Sequence, residues 1–273
     1  MKKIKAVLHA FLYFIFYFAV QIAVELITTA VYLIRNGDSF VVAGKGFDTK
    51  AATAAVSDFL NANIYVLSLV SEVIFLLAIF LIFKARHKSF SFEIGLQKTN
   101  PLNILPVAAL GFSMNILTSL LFLIVPEKLI ESYNQSAEAV SNATGVVAML
   151  AITIVGPVAE EVLFRGLIFT RLSRGFGVTA SVIVSTLIFA AAHGNILWSI
   201  YAGVLGLMFV LIYIYTRSII CPIIMHVAYN VANYVVGDID LFVLISAFAV
   251  CAVSAAALIV IGKNDRRNVG SDA

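Results

Sequence analysis

The chain has 273 residues, of which 62% are hydrophobic and 12% are charged, and its mean hydropathy is +1.02. This composition excludes an ordinary water-soluble globular domain, because such a chain has too few polar side chains to cover a water-facing surface. A membrane-spanning helix needs about 20 apolar residues. We therefore predict an integral membrane protein with about eight spans in one helical domain.

The N-terminal segment is basic and precedes a long apolar run. The run covers residues 6–34 and is much longer than the roughly 7–15 apolar residues of a signal-peptide core. Arg35 follows it as a membrane boundary would, so we interpret the run as the first helix. Cys221 and Cys251 both lie in apolar stretches and indicate no disulfide framework.

The apolar runs predict eight helices, and strands are disfavoured because no period-two alternation occurs and because lipid-immersed segments must satisfy their own backbone groups. The predicted helices cover residues 5–34, 64–83, 101–125, 146–170, 178–193, 197–216, 219–236 and 241–261. The predicted fold class is all-α, a polytopic bundle. Its regions are an N-terminal part of three helices with external and interfacial loops (1–145), a core of four helices (146–236) and a last helix with a basic tail (237–273).

Charge placement supports this arrangement, since Lys and Arg concentrate on the cytoplasmic side of short loops. One predicted side receives Lys2, Lys3, Lys5, Lys84, Arg86, Lys88, Arg171, Arg174, Arg217, Lys263, Arg266 and Arg267. The other side receives Asp38, Asp58, Glu127, Glu131, Glu138, Asp238 and Asp240, diluted by Lys45, Lys50 and Lys128. We therefore expect a multi-pass plasma-membrane protein with both termini cytoplasmic. Residues 36–63 are predicted to be an external loop, and residues 90–100 fit either an interfacial segment or an ordinary connection.

Three ionisable residues lie inside the fourth predicted helix, in the string GPVAEEVLFRG. A charge at the centre of a span costs at least about 2.5–3.5 kcal/mol, so such residues indicate function. Glu161 and Arg165 are four residues apart and share a helix face, where an ion pair can form. Glu160 is rotated by about 100° from Glu161. It can therefore point into a cavity and act as a general base or acid.

Two later helices carry histidines in spaced pairs. The string FAAAH places Phe189 and His193 on one helix face, and HVAYN places His226 and Asn230 on one face of another. Asn233 continues the second stripe. A single histidine near a helix end is most often a hydrogen-bonded structural residue. Two histidines together with a glutamate pair instead favour an active site.

The strings EEVLFR, FAAAH and HVAYN, in this order, resemble the motifs of the CPBP or Abi family, the CAAX prenyl protease and bacteriocin-processing family of intramembrane proteases. The resemblance covers about residues 146–236. It implies peptide-bond hydrolysis within the membrane, on prenylated CAAX proteins in eukaryotes, and some bacterial members look like bacteriocin-immunity proteins. The family's motif positions fall on Glu160, Glu161, Arg165, Phe189, His193, His226 and Asn230.

The resemblance leads to a hypothesis about the role of each residue. Glu160 takes a proton from a water that His193 helps to orient, and that water attacks the scissile carbonyl. His226 and Asn230 donate hydrogen bonds to the developing oxyanion, while Glu161 and Arg165 mainly position the site. Glu160, His193 and His226 also form a ligand set known from catalytic zinc sites. A zinc cofactor and a metal-free glutamate mechanism therefore both stay open.

Other functions fit the sequence less well. His226 is followed by Val227 and Ala228, which gives no HExxH zinc motif, and no GxSG serine motif is present. A small-molecule transporter should show related halves with matching broken helices, whereas the polar cluster here is confined to one half. A non-catalytic bacteriocin-immunity or membrane binding protein is the other alternative. The expected partners are the lipid bilayer and a membrane-associated peptide or protein substrate, with or without lipid modification, and no nucleic acid.

Overall fold

Residues 2–42, 46–141 and 145–271 of the protein are described by a computed structural model, with side chains described outside 135–141 and 265–271. Lys45 and the side chains of Glu138, Arg266 and Arg267 therefore lie outside the described residues. The helices in chain order are α1 (Lys2–Asn36), α2 (Thr49–Ala62), α3 (Ile64–Ala85), α4 (Phe90–Glu93), α5 (Ile104–Thr118), α6 (Glu127–Ser141), α7 (Val146–Leu150), α8 (Gly156–Glu161), α9 (Thr170–Phe176), α10 (Val178–Ala191), α11 (Ile196–Thr216), α12 (Ile220–Val235) and α13 (Leu241–Ser271).

Shorter elements connect these helices. Three 3₁₀ turns cover Gly37–Phe40, Pro101–Asn103 and Ser119–Leu123. The strands β1 (Val41–Val42) and β2 (Gly46–Phe47) form one antiparallel pair, in which Val41 lies opposite Phe47. Two π-helical segments, Ala151–Val155 and Val162–Phe169, join α7, α8 and α9 into one run. We call this run, Val146–Phe176, the glutamate helix.

The predicted all-α polytopic membrane fold is confirmed. Six helical segments of the described chain are long and apolar enough to cross a membrane, and two shorter apolar helices, Val178–Ala191 and Ile220–Val235, accompany them. Each predicted span therefore corresponds to a helix. The glutamate helix lies in the middle of the bundle, where every residue of its second π segment is buried. Around it pack α1, α3, α10 and α12.

Besides the one-turn helix α4, two longer helices of the structure were not predicted. The predicted external loop 36–63 contains α2, whose first turn is capped by Asp48, because its carboxylate accepts a hydrogen bond of 3.0 Å from the Ala51 N–H. Helix α6 fills the stretch between the third and fourth predicted spans. Both sequences are too polar to form a lipid-facing span. A search for uninterrupted apolar runs therefore could not find them.

The ends of two predicted helices were wrong in ways that affect the site. The glutamate helix continues past the predicted end at residue 170 to Phe176, where Gly177 turns the chain with a φ of +80°. Helix α10 ends at Ala191, so His193 lies in the turn that follows the helix instead of on its last turn. Gly194, with a φ of +71°, follows at once, because glycine adopts this left-handed conformation at low cost.

Three of the basic residues that were predicted to share one side of the membrane, Lys88, Arg171 and Arg174, lie around Glu93. Glu93, at the end of α4, forms an ion pair with Arg171 of the glutamate helix, and the Lys88 ammonium lies 3.1 Å from the other carboxylate oxygen. Arg174 stands 4.0 Å away. Burial acts to raise the pKa of Glu93, but the hydrogen bonds from Arg171 and Lys88 outweigh it and lower that pKa overall. The segment after α3 is thus attached to the end of the glutamate helix.

Replacing Glu93 with glutamine is expected to lower the free energy of unfolding by about 1.5–3 kcal/mol, the range for a hydrogen bond to a charged group. A carboxylate whose pKa is lowered by folding stabilises the protein above its unfolded value and loses that contribution as the pH falls. The difference between wild type and Glu93→Gln should thus be constant near neutral pH and shrink below about pH 4.3, the ordinary value for glutamate. Thermal unfolding in detergent at several pH values measures it.

Lys88→Gln is the matched control for this prediction. Lys88 is 46% exposed, and an exposed ion pair contributes at most about 1 kcal/mol. An equal effect of the two substitutions would show that the buried contact between Glu93 and Arg171 contributes no more to the free energy of unfolding than the exposed contact with Lys88.

Candidate active site

A buried ion pair forms the rigid part of the site. Arg165 donates a hydrogen bond of 2.8 Å to Glu161 one turn earlier in the glutamate helix, as the four-residue spacing predicts, and both side chains are fully buried. The same carboxylate oxygen of Glu161 lies 3.1 Å from Nδ1 of His226 on α12. A paired carboxylate only accepts hydrogen bonds, so Nδ1 of His226 carries a proton and donates it. The other ring nitrogen, Nε2, is thereby directed away from Glu161.

Aromatic rings enclose this ion pair. The guanidinium of Arg165 lies over the Phe189 ring of α10 at 4.4 Å from its centroid and over the Phe209 ring of α11 at 5.1 Å. Phe209 also stacks on the His226 ring, with 4.6 Å between centroids and 25° between planes. A cation above a ring face is attracted by the ring quadrupole. The two phenylalanines therefore fix both Arg165 and His226.

Gly206 of α11 makes this packing possible. Its carbonyl accepts a hydrogen bond of 3.0 Å from Arg165. A Cβ atom at this position would lie 2.7 Å from Cδ1 of Phe189 and 3.4 Å from Nη2 of Arg165. Helix α11 can therefore approach the ion pair closely only because residue 206 has no side chain.

Gly206→Ala is expected to destabilise the protein by about 1–3 kcal/mol, the usual cost of overpacking a core. Gly203→Ala is a control on the same helix, because a Cβ there meets only the Ala190 methyl at an ordinary 3.5 Å. The control should be neutral or stabilising by up to about 1 kcal/mol, since alanine is the better helix former. Thermal unfolding of the two variants provides the comparison, and equal unfolding temperatures would contradict the predicted clash.

Glu160 differs from its neighbour in exposure and in its partners, although Oε2 of both carboxylates makes no hydrogen bond to a described residue. Its side chain is 27% exposed, whereas the Glu161 side chain is fully buried. Its Oε2 atom lies 3.9 Å from Nε2 of His226 and makes no hydrogen bond to any described residue. That distance is too long for a direct hydrogen bond, so the acceptor capacity of Oε2 is unused. A carboxylate oxygen with an unused lone pair can accept a proton from a water that reaches it.

His193 is connected to the cluster through Phe189. Its Nδ1 atom lies 2.8 Å from the Phe189 carbonyl oxygen, and its ring contacts the Phe189 ring edge-on with 4.8 Å between centroids. The carbonyl can only accept, so Nδ1 is the protonated nitrogen and Nε2 has a free lone pair. Within the described chain, no hydrogen bond or ion pair joins His193 to Glu160. Both histidine rings lie near the same phenylalanine, since the centroids of the Phe189 and His226 rings are 6.3 Å apart.

Asn230 of α12 binds the backbone of the glutamate helix. Its amide nitrogen donates a hydrogen bond of 2.8 Å to the Ile152 carbonyl. In the π segment the Gly156 N–H binds the carbonyl five residues earlier, that of Ala151. The same register would pair Ile152 with Pro157, which has no N–H to donate. Asn230 therefore satisfies a carbonyl that proline leaves without a partner, and its second amide hydrogen is not used in that bond.

The predicted zinc ligand set does not fit the observed arrangement. Among the described residues, no group of three or more His, Cys, Asp and Glu side chains lies close enough to hold a metal ion. Catalytic zinc sites use three protein ligands about 2.0–2.2 Å from the metal. Glu160 and His226 face each other, but in the described chain no hydrogen bond or ion pair joins His193 to either of them.

Three residues near the site were missed by the sequence interpretation. Phe209 and Gly206 lie on α11, whose sequence is apolar throughout and gives no signal of a site. Glu72 is different, because it is a lone carboxylate in the middle of the apolar helix α3. The rule that drew attention to Glu160 applies equally to Glu72 and could have found it.

Comparisons with known proteins agree with the motifs. Residues 142–232 match the family described as Type II CAAX prenyl endopeptidase Rce1-like. The chain is 33% identical over 143 residues to the "Membrane-embedded CAAX protease MroQ" of Staphylococcus aureus, covering 46% of this chain and 56% of that protein. It is 27% identical over 99 residues to the "Putative membrane peptidase YdiL" of Bacillus subtilis, covering 36% of this chain and 41% of that protein.

The chain thus spans about half the length of the curated relatives it matches. No solved structure matches it. The matched segment of this chain includes the glutamate pair, Arg165, both histidines and Asn230.

Proposed function

We propose that this chain, whose residues 142–232 match the Rce1-like family of Type II CAAX prenyl endopeptidases, belongs to the CPBP family of membrane proteases and is an intramembrane endopeptidase. It hydrolyses a peptide bond of a membrane-associated substrate with a water activated by Glu160. The observation that carries the proposal is the contrast within the glutamate pair. Glu161 is fully buried and paired with Arg165, whereas Glu160 is 27% exposed and, among the described residues, has no arginine or lysine partner.

The first step of the proposed reaction uses Glu160 as the general base. Glu160 accepts one proton from a water held between its carboxylate and Nε2 of a histidine, and the water oxygen forms a bond to the scissile carbonyl carbon. A positioned base of this kind contributes about 10²–10⁴-fold to the rate. His193 helps to orient the water through its free Nε2. When the carbon–nitrogen bond breaks, Glu160 returns the proton to the leaving amine.

The second group of residues stabilises the oxyanion. Asn230 donates the amide hydrogen that is not bound to Ile152. His226 donates from Nε2, for which the ring must carry a proton on Nε2 as well as on Nδ1. Preorganised donors aimed at a developing oxyanion are worth about 2.7–4 kcal/mol each. Glu161, Arg165, Phe189 and Phe209 hold these donors in place without contacting the substrate.

The charge distribution supports a proposal for the membrane side on which the reaction takes place. Lys88, Arg171 and Arg174 gather around Glu93 at one end of the bundle, and Lys3 at the start of α1 lies 5.8 Å from the centroid of the Phe176 ring at the same end. Because basic residues concentrate on the cytoplasmic side, we assign this end and both termini to the cytoplasm, in the plasma membrane. A peptide anchored in that leaflet, with or without a lipid group, is the proposed substrate.

Expression of wild type and Glu160→Ala in the same cells tests the proposed function. Mass spectrometry of membrane peptides should show cleavage products that require the wild-type residue, and those products nominate the substrate. Comparable amounts of the two proteins in the membrane serve as the control. A membrane binding protein or a transporter would leave the two sets of peptides identical, and that result would overturn the proposal.

A metal-free reaction has a separate test. Because the described donors do not form a three-ligand group, we expect proteolysis to continue after treatment with a strong chelator. We also expect elemental analysis of the purified protein to show much less than one zinc per chain. Loss of activity on chelation, with recovery on adding zinc, would contradict this prediction.

A further inference from the structure

The helix α3 brings another acidic side chain to the glutamate helix. Glu72 lies in the middle of the apolar run Ile64–Ala85 and is 5% exposed. The Ser68 hydroxyl donates a hydrogen bond of 3.2 Å to its Oε1 atom. Its Oε2 atom is buried and has no hydrogen bond to any described residue. A buried polar atom without a partner is costly, so it usually marks a function or a bound group.

The carboxyl group of Glu72 lies against the turn that precedes Glu160. Its two oxygens are 3.4 and 3.5 Å from the position that a Cβ atom would occupy on Gly156. Gly156 and Glu160 are four residues apart and so lie on the same helix face. Two acidic side chains from different helices therefore share one apolar site.

The carboxyl groups of Glu72 and Glu160 can satisfy each other through a hydrogen bond once one of them carries a proton. Glu72 and Glu160 each have a buried Oε2 without a hydrogen bond among the described residues. Two ionised carboxylates in one apolar site repel each other. A single proton on Glu72 removes this repulsion and converts Glu72 into an O–H donor. Glu160 Oε2 is then available as the acceptor, either directly or through one water.

We propose that Glu72 is a positioning residue of the active site, a protonated carboxyl group that orients the carboxylate of Glu160 by hydrogen bonding. The proposal rests on the proposed function. The proton of Glu72 stays on Glu72 throughout the reaction, while the proton taken from water moves to Glu160 and then to the leaving amine. Oε2 of Glu160 has two lone pairs, so it accepts the hydrogen bond from Glu72 with one and receives the water proton with the other.

Kinetics of substituted enzymes test this role on the substrate nominated by the peptide comparison. Glu72→Ala should lower kcat by about 10–100-fold, because it removes the partner of a buried polar group, and should change KM by less than about threefold. Glu72→Gln keeps a hydrogen-bond donor and should restore at least about tenfold of that loss. Glu131→Gln changes an exposed glutamate of α6 and should leave kcat unchanged. Equal kcat values for wild type and Glu72→Ala would overturn the proposal.

Infrared spectroscopy of the purified protein gives a readout that does not depend on proteolysis. A protonated carboxyl group has a C=O stretching band that ionised carboxylates lack. Wild type and Glu131→Gln should show this band, and Glu72→Gln should lose it. Retention of the band in Glu72→Gln would show that another group holds the proton and would overturn the proposal, even if Glu72→Ala fails to fold.

The same set of variants tests the role of Glu72 separately from the role of Glu160. Loss of activity in Glu160→Gln together with full activity in Glu72→Ala would refute only the role of Glu72. Full activity in Glu160→Gln would refute the glutamate mechanism itself. The infrared band would then still report whether Glu72 carries a proton.

Discussion

Glu160→Gln is expected to lower kcat by about 10²–10⁴-fold, the contribution of a positioned general base. Glutamine has nearly the shape of glutamate but cannot accept the proton of the attacking water. KM should change much less, because the residue interacts with the water and not with the bulk of the substrate. The structure supports this effect through the free Oε2 atom, which stands 3.9 Å from His226.

The measurement needs purified wild type, Glu160→Gln and Glu131→Gln in the same detergent. Equal unfolding temperatures establish that the loss is chemical and not structural. Glu131 lies exposed on α6, so its substitution controls for the loss of a negative charge. A Glu160→Gln enzyme with more than about a tenth of the wild-type kcat would be incompatible with a general base worth 10²–10⁴-fold.

The part of the site that depends on spacing within one helix was predicted from the sequence. Glu161 and Arg165 form the ion pair that their four-residue separation indicates. His226 and Asn230 lie on one face of α12 and both contact the glutamate helix. Such pairs follow from helix geometry alone.

Contacts between distant helices could not be predicted in the same way. Phe209 stacks on His226 and Gly206 accepts a hydrogen bond from Arg165, but nothing in the uniformly apolar sequence of α11 distinguishes these residues from their neighbours. Which face of α11 meets the ion pair depends on how the helices cross, and this is set by packing of the whole bundle. The polar helices α2 and α6 were missed because only apolar runs were interpreted.

The π segments show where a local sequence signal was present but not sufficient. Pro157 predicts an interruption of the helix hydrogen bonds, yet the sequence does not say whether the chain bends, breaks or widens. The structure has a π segment before α8 and another after it, and α8 carries both glutamates. Wide turns of this kind are frequent at functional sites. Here they set the rotation of Glu160 relative to α12.

Arg165→Met is expected to destabilise the protein by about 3–5 kcal/mol, the cost of leaving one partner of a buried ion pair uncompensated. Methionine can fill much of the same space between Phe189 and Phe209. It cannot neutralise Glu161, which is fully buried, and it leaves the Gly206 carbonyl without its donor. Thermal unfolding in detergent should show the loss of stability. Proteolysis should fall with it, because Glu161, which accepts the hydrogen bond from His226, is no longer held in place by Arg165.

The double variant Arg165→Met, Glu161→Gln identifies the cause. If the loss comes from an unpaired carboxylate, removal of its charge should recover a substantial part of the stability, since replacing both members of a buried pair is often nearly neutral. If the loss comes from packing around Phe189 and Phe209, the double variant should be no more stable than the single one. Recovered stability without recovered proteolysis would then assign the Glu161 charge to the orientation of His226, because glutamine offers its Nδ1 a weaker, uncharged acceptor.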